Sequence, residues 1–125
     1  MPPSPVNVAS HLSRMAAAEP DRPAIHYPTR RGYETLTFRE LNAYSDRLAH
    51  GLASVGIVRG TRTALMVPPS PEFFALTFAL FKIAAVPVLI DPGMGDKNLG
   101  KYLREIDPWP CIRVAKSQPA RRILG

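Results

Sequence analysis

The most apolar stretch of the sequence, Phe73 to Ala84, limits the possible folds of this chain. Only Thr77 and Lys82 within it are not hydrophobic, so a helix here would be apolar on almost every side. Such a helix must be buried on most of its circumference or lie in a membrane. The continuation to Ile90 approaches the roughly 18–20 residues of a membrane span, but Lys82 lies near its centre and Pro87 interrupts it. We therefore predict a buried helix followed by a strand, and no transmembrane segment.

The residues around this helix predict a βαβ unit. Residues 63–67 form an apolar run without alternation, as in a strand that is buried on both faces. Ser70 can cap a helix over residues 71–84, and Pro71 suits its first position. Residues 86–90 are rich in β-branched side chains and predict the second strand. Two strands joined by a helical crossover form a parallel pair with a right-handed connection.

A helix and a hairpin are predicted near the start of the chain. Residues 8–19 repeat apolar side chains at helical spacing, and Asn7 is a candidate N-cap. Two short strands, at 24–27 and 33–36, flank a turn that contains Gly32. This pattern predicts an N-terminal β-hairpin.

A second helix is predicted to begin with a capping box. The hydroxyl of Thr37 can accept from a backbone amide three residues on, while Glu40 reaches back to the amide of Thr37. Gly56 lies where a left-handed residue would end this helix. Beyond the βαβ unit, residues 99–106 predict a shorter helix and residues 111–114 a strand. The fold class is α/β, with the parallel unit as its centre.

Length and composition are those of one soluble domain. The chain has 125 residues, of which 46% are hydrophobic and 21% charged. The net charge of +6 is spread along the sequence, which favours solvated surface over a nucleic-acid or anionic membrane site. A single cysteine excludes an internal disulfide, and no signal-peptide pattern opens the chain. We predict a cytoplasmic protein that binds no nucleic acid.

One loop comes close to a dinucleotide-binding fingerprint. Gly93 and Gly95 follow a predicted strand and precede a predicted helix, but Asn98 replaces the third glycine. Asp91 and Asp96 flank the loop and would repel a pyrophosphate. A simple strand-to-helix turn is the better interpretation.

No catalytic or metal-binding constellation emerges from residue spacing. Cys111 is typical of a small buried side chain, and Glu105 and Asp107 form a solvated pair near a helix end. Three histidines have no second ligand at helical spacing and are interpreted as structural or surface residues: His11, His26 and His50. The sequence therefore predicts no catalytic, cofactor-binding or metal-binding residue.

Five short motifs nevertheless follow one another in a recognisable order. They are Thr37-Phe38-x-Glu40-Leu41, Gly56-Ile57-x-x-Gly60, Pro69-x-Pro71-Glu72-Phe73, Lys82-x-Ala84-Ala85-Val86 and Asp91-Pro92. In order and spacing they resemble the N-terminal region of AMP-forming acyl-adenylating enzymes, the AMP-dependent synthetase/ligase superfamily. That superfamily includes acyl-CoA synthetases, luciferases and the adenylation domains of peptide synthetases. The resemblance covers nearly the whole chain from about Val8 onward.

A narrower resemblance rests on two segments. The run Val86-Pro87-Val88-Leu89-Ile90-Asp91-Pro92-Gly93-Met94-Gly95 with Asn98-Leu99, and the later Ala120-Arg121-Arg122-x-Leu124-Gly125, are similar to the olefin-biosynthesis β-lactone synthetases. Those enzymes use ATP to adenylate a β-hydroxy fatty acid, which then closes to a β-lactone. The chain departs from the wider superfamily at Thr61, Ala84 and Leu89, where aspartate, glycine and proline are usual. Ala84 is expected to need slightly more room than glycine where the helix meets the strand.

The resemblance implies the N-terminal portion of an acyl-adenylating large domain. In the family, ATP is held by a phosphate loop, an adenine-contacting segment, a ribose-binding aspartate and a mobile lid with a catalytic lysine. All of these lie downstream of the region present here, so no site residue is carried over to this chain. Residues 1–125 are thus expected to be a partial AMP-binding domain, truncated before the phosphate loop and inactive alone. ATP and Mg²⁺ are expected of the full-length enzyme only.

Two kinds of partner follow from that expectation. A partial domain would pair with the remainder of the ligase, or with a second copy of itself through exposed apolar surface. The alternative function is a non-enzymatic interaction module that presents the same apolar surface to another chain.

Overall fold

The computed structural model describes residues 7–91, 98, 100–101, 104–105, 109–114 and 123–124. Their bounded elements, in chain order, are α1 Ala9–Ala18, β1 Pro23–Thr29, β2 Gly32–Thr37, α2 Phe38–Ser54, β3 Arg62–Met66, α3 Pro71–Lys82, β4 Val86–Leu89, β5 Cys111–Val114 and β6 Ile123–Leu124. Residues 98, 100–101 and 104–105 are helical, as expected for the short helix. The apolar positions assigned to that helix lie outside the described residues.

The strands form two sheets. Strands β1 and β2 pair antiparallel as a hairpin, as predicted. The other sheet has the order β4-β3-β5-β6, in which β3 is parallel to both β4 and β5 while β5 and β6 are antiparallel. The predicted βαβ unit is therefore present as β3-α3-β4, and the α/β fold class is confirmed.

The central strand β3 is buried on both faces, as its unbroken apolar run predicts. Leu65 and Val67 join the larger core cluster with α2 and α3. Ala64 and Met66 point the other way and pack with Ile90. Parallel strands are usually buried on both faces, and this is why their sequences are apolar without alternation.

Helix α3 is buried along one stripe instead of all round. Ala75, Leu76, Ala79 and Leu80 are completely buried, and their spacing places them on one face. Phe74 remains 42% exposed, and the other flanking residues are half-buried. The requirement for burial on most of the circumference is thus only partly met by the described residues.

The predicted end of α3 at residue 84 is wrong by two residues, and Ala84 shows why. Helix α3 ends at Lys82 and Ala84 takes a left-handed φ of 58°. The amide of Ala84 bonds to the carbonyl of Phe81 at 3.0 Å, and that of Ala85 bonds to Leu80 at 3.0 Å. This pair of bonds is the Schellman motif, whose left-handed position favours glycine. The left-handed backbone conformation is therefore a reason why glycine is usual at position 84 in the wider superfamily.

Replacing Ala84 with glycine should stabilise the protein. A non-glycine residue in the left-handed region destabilises the folded state by about 1–2 kcal/mol. Glycine removes this strain, but its greater entropy in the unfolded chain offsets about 0.5–1 kcal/mol of the gain. We expect Ala84→Gly to raise the free energy of unfolding by about 0.5–1 kcal/mol, measured by urea denaturation. Gly56 is the matched control, because it occupies the same position after α2 with φ 94° and has open space at its Cβ. Gly56→Ala should lower stability, and equal signs for the two variants would contradict the explanation.

The predicted capping box at the start of α2 is present. Glu40 N donates to Thr37 Oγ1 at 3.2 Å, and Thr37 N donates to Glu40 Oε1 at 3.0 Å. Helix α1 differs from its prediction, because Val8 holds the cap position and makes no side-chain bond. Asn7 acts one residue earlier, where its Oδ1 accepts from Ala9 N at 2.9 Å.

Acid should weaken the capping box. The backbone hydrogen bond from Thr37, then the bond to its side chain, lowers the pKa of Glu40 below its ordinary value of 4.5. Because the folded-state pKa is depressed, the stabilisation is present above pH 4.5 and is lost as the pH falls through the lowered value. We expect Glu40→Gln to be less stable than the wild type at neutral pH and to match it in strong acid, by urea denaturation. A difference that does not change with pH, or a similar pattern for Glu105→Gln, would contradict this assignment.

Candidate functional site

A largely apolar cavity of about 420 Å³, partly open to solvent, lies between α1, β1, α2 and α3. Helix α1 contributes His11, Leu12 and Met15, which its helical spacing aligns on one face, and Val8 adds its side chain from the cap position. The other walls come from three elements: Ala24, Ile25 and His26 of β1, Phe38 and Leu41 of α2, and Phe74 and Phe78 of α3. The cavity is therefore formed by side chains of separate elements that the tertiary fold brings together.

Two histidines that are isolated in sequence both line this cavity. Arg14 Nη2 lies 3.0 Å from His11 Nδ1, and a guanidinium only donates, so this ring nitrogen accepts. His26 Nδ1 lies 3.2 Å from Thr35 Oγ1 across the hairpin. Both histidines are exposed, and no described group of three metal-ligating side chains includes them. The position of His11 on the apolar face of α1 could have indicated from the sequence that it faces other elements. Nothing in the sequence indicates that His26 lines the same cavity.

The lysine in the apolar helix is engaged in a polar cluster between α2 and α3. Lys82 Nζ donates to Asn42 O at 3.1 Å, to Asn42 Oδ1 at 2.7 Å and to Asp46 Oδ1 at 2.6 Å. Nearby, Asn7 Nδ2 donates to the carbonyl of Phe81. An ammonium has three donors, and all three have protein acceptors here. The geometry therefore supports a structural role for Lys82.

The carboxyl edge of the parallel strands is where open α/β sheets bind ligands. In the described residues this edge includes the turn from β3 into α3. Ser70 Oγ donates to Pro68 O at 2.9 Å and accepts from Phe73 N at 3.2 Å. The hydroxyl of Ser70 is thus used within the turn, as the predicted cap of α3.

The remaining candidates do not assemble into a described catalytic site. Cys111 packs half-buried against the Ala64 cluster, in line with a packing role. The near-fingerprint loop lies outside the described residues except for exposed Asn98, and Asp107 also lies outside them while Glu105 is exposed. His50 is exposed on α2 and does not line the cavity.

Two tyrosines have perturbed acidity without a nearby reaction partner. Desolvation, followed by the 3.1 Å hydrogen bond to Glu34, raises the pKa of Tyr27. Desolvation also raises the pKa of Tyr44. A raised tyrosine pKa keeps the phenol protonated at neutral pH, so neither side chain is prepared as a general base.

Comparison with known proteins places the chain in a large group of enzymes. Residues 12–123 match the family described as AMP-binding enzyme. Olefin β-lactone synthetase of Stenotrophomonas maltophilia is 48% identical over 96% of this chain and 23% of its own length. The protein of the same name from Xanthomonas campestris pv. campestris is 49% identical over 94% of this chain and 22% of its own length. The chain thus spans about a quarter of the length of these relatives.

Solved structures agree with these relatives. The N-terminal domain of FACL13 from Mycobacterium tuberculosis is 29% identical, with a TM-score of 0.76 over 91% of this chain and 28% of that one. Among the described residues, no helix combines the length and apolar character that crossing a membrane requires. The family match over most of the chain and the shared fold lead to one conclusion: this chain belongs to the AMP-binding, acyl-adenylating family of synthetases and ligases.

Proposed function

We propose that this chain is the N-terminal scaffold of an AMP-forming ligase that activates a fatty or β-hydroxy fatty acid as an acyl-adenylate. The observation that carries the proposal is the 48% identity to an olefin β-lactone synthetase over 96% of this chain. The long-chain-fatty-acid–CoA ligase FadD13 of Mycobacterium tuberculosis, 39% identical over 67% of this chain, supports the same class of acid. Residues 1–125 are a partial AMP-binding domain in this proposal.

The scaffold role follows from what the described side chains do. Lys82, Ser70 and the capping-box pair are all engaged with protein groups. In this proposal ATP and Mg²⁺ are bound by polypeptide outside these residues, and the chain alone is inactive. We also propose a cytoplasmic location, with which a single cysteine agrees.

A chimera tests the proposal. The matched N-terminal segment of the Stenotrophomonas enzyme is replaced by this chain, and ATP–pyrophosphate exchange is measured with a β-hydroxy fatty acid. The chimera should catalyse exchange, whereas this chain alone should not exceed the blank. A control chimera carries Leu76→Asp, which places a charge at a fully buried position and should abolish exchange. A folded chimera without exchange, or exchange by the chain alone, would contradict the proposal.

A second candidate is an interaction module, and the outer edge of β4 favours it. Val86 and Leu89 are 45% and 60% exposed, and no described strand pairs with this edge. Val86 N donates to Thr61 O, just before β3, and Ile90 N donates to Leu65 O of β3, so alternation directs Pro87 outward. Proline offers no N–H there, which limits strand addition to this edge.

Light scattering after size exclusion tests this candidate. A module that self-associates through apolar side chains should form dimers whose fraction falls in Leu89→Ser. Pro87→Thr should raise association if the edge itself pairs, because it restores an outward donor. A monomer in all three proteins would count against the interaction module and leave the scaffold role.

A further inference from the structure

The apolar cavity has the size and lining of a ligand site. Its volume of about 420 Å³ lies within the roughly 300–1,000 Å³ that is usual for small-molecule sites. Its described lining residues come from four elements and are apolar except for His11 and His26, and none is acidic. An occupant with an apolar body suits this lining, because its contact removes apolar surface from water.

The rim of the cavity supplies a positive charge. His11 lines the cavity, and the guanidinium of Arg14 lies 3.0 Å from its Nδ1. One of the five guanidinium donors is used by this contact, so others can meet an anionic group. Arginine is well suited to carboxylates because its planar fork can donate two parallel hydrogen bonds.

We propose that this cavity binds a medium-chain fatty acid, with the alkyl chain against Leu12 and Phe78 and the carboxylate at Arg14. An apolar interior with a cation at its rim matches an amphipathic monoanion better than a neutral hydrocarbon or a cation. The proposal does not depend on the ligase function.

Methyl NMR of the 125-residue chain tests the site directly. Met15 lines the cavity, whereas Met66 packs on the far side of β3 with Ala64 and Ile90. Decanoate, added below its micellar concentration, should shift the Met15 methyl signal saturably and leave the Met66 signal in place. Decanol is the matched neutral probe and should bind about threefold to fivefold more weakly, as expected for loss of one exposed ionic contact. An unmoved Met15 signal, or equal shifts of both methionines, would overturn the proposal.

Two substitutions separate the charge from the cavity. Arg14→Gln should weaken decanoate binding to the level of decanol, while Arg31→Gln, at the exposed hairpin turn, should not change it. Ala24→Leu adds bulk to the cavity wall and should abolish the Met15 shift. Ala53→Leu, the same change at an exposed position of α2, should bind like the wild type. Normal decanoate binding by Ala24→Leu would place the ligand elsewhere and overturn the proposal.

The remainder of the ligase is the other occupant that could cover the cavity, and the chimera described above tests it. If the remainder of a ligase covers the cavity, decanoate will shift Met15 in the isolated chain but not in the chimera. That outcome would overturn the fatty-acid site even where the chimera is active. A Met15 shift in an inactive chimera would support the site and count only against the proposed ligase function.

Discussion

Leu76→Ala is expected to lower the free energy of unfolding by about 2–5 kcal/mol, the usual range for a leucine truncated in a closed core. Leu76 is 0% exposed and belongs to the cluster that joins α2, α3 and the sheet. Natural domains are stable by only about 5–15 kcal/mol, so the loss would be a large fraction of the total. Urea denaturation followed by far-UV circular dichroism measures it.

Phe74→Ala provides the matched control on the same helix. Phe74 is larger than Leu76 but 42% exposed, with an edge-on contact to the ring of Phe73 at 5.5 Å. We expect a loss of about 1 kcal/mol or less, because the ring gives up less buried surface and leaves no closed cavity. A loss at Phe74 equal to that at Leu76 would mean that α3 is buried on the opposite side from the one the structure shows.

The sequence predicts that α3 is buried but does not indicate which side of the helix faces the core. The apolar run predicted both the helix and its burial, and the flanking strands predicted the parallel unit. Nothing in the run distinguishes Leu76 from Phe74, because nearly every position is apolar and no amphipathic stripe marks the buried side. Packing against α2 decides the side, and that contact joins segments distant in sequence.

Local signals were predicted better than those that depend on tertiary contacts. The capping box of Thr37 and Glu40 needs only residues three apart, and it is present. The left-handed turn at Ala84 was missed because alanine gives no sign of positive φ. His11 and His26 both line the cavity because α1 and the hairpin are placed around α2 and α3, an arrangement that no sequence period indicates. The sequence therefore indicated the fold class and most elements, but not the cavity.

Lys82→Met is expected to cost about 1.5–3 kcal/mol, the range for hydrogen bonds made by a charged group. Methionine matches the four-atom apolar stem of lysine, so the change removes mainly the ammonium. The Lys82 side chain is only 12% exposed, and its Nζ joins α3 to Asn42 and Asp46 of α2. Urea denaturation of the variant, beside Lys101→Met at an exposed position, measures the effect.

A double-mutant cycle with Asp46→Asn then separates the two partners of Lys82. The carboxylate of Asp46 is 56% exposed, so its coupling to Lys82 should be at most about 1 kcal/mol, as for surface ion pairs. Most of the loss should remain when Asp46 is already neutral, because the two oxygens of Asn42 stay without their donor. A coupling energy that accounts for the whole loss would assign the stabilisation to the ion pair. The smaller coupling would establish that a lysine in an apolar helix is retained by hydrogen bonds to one asparagine on the neighbouring helix.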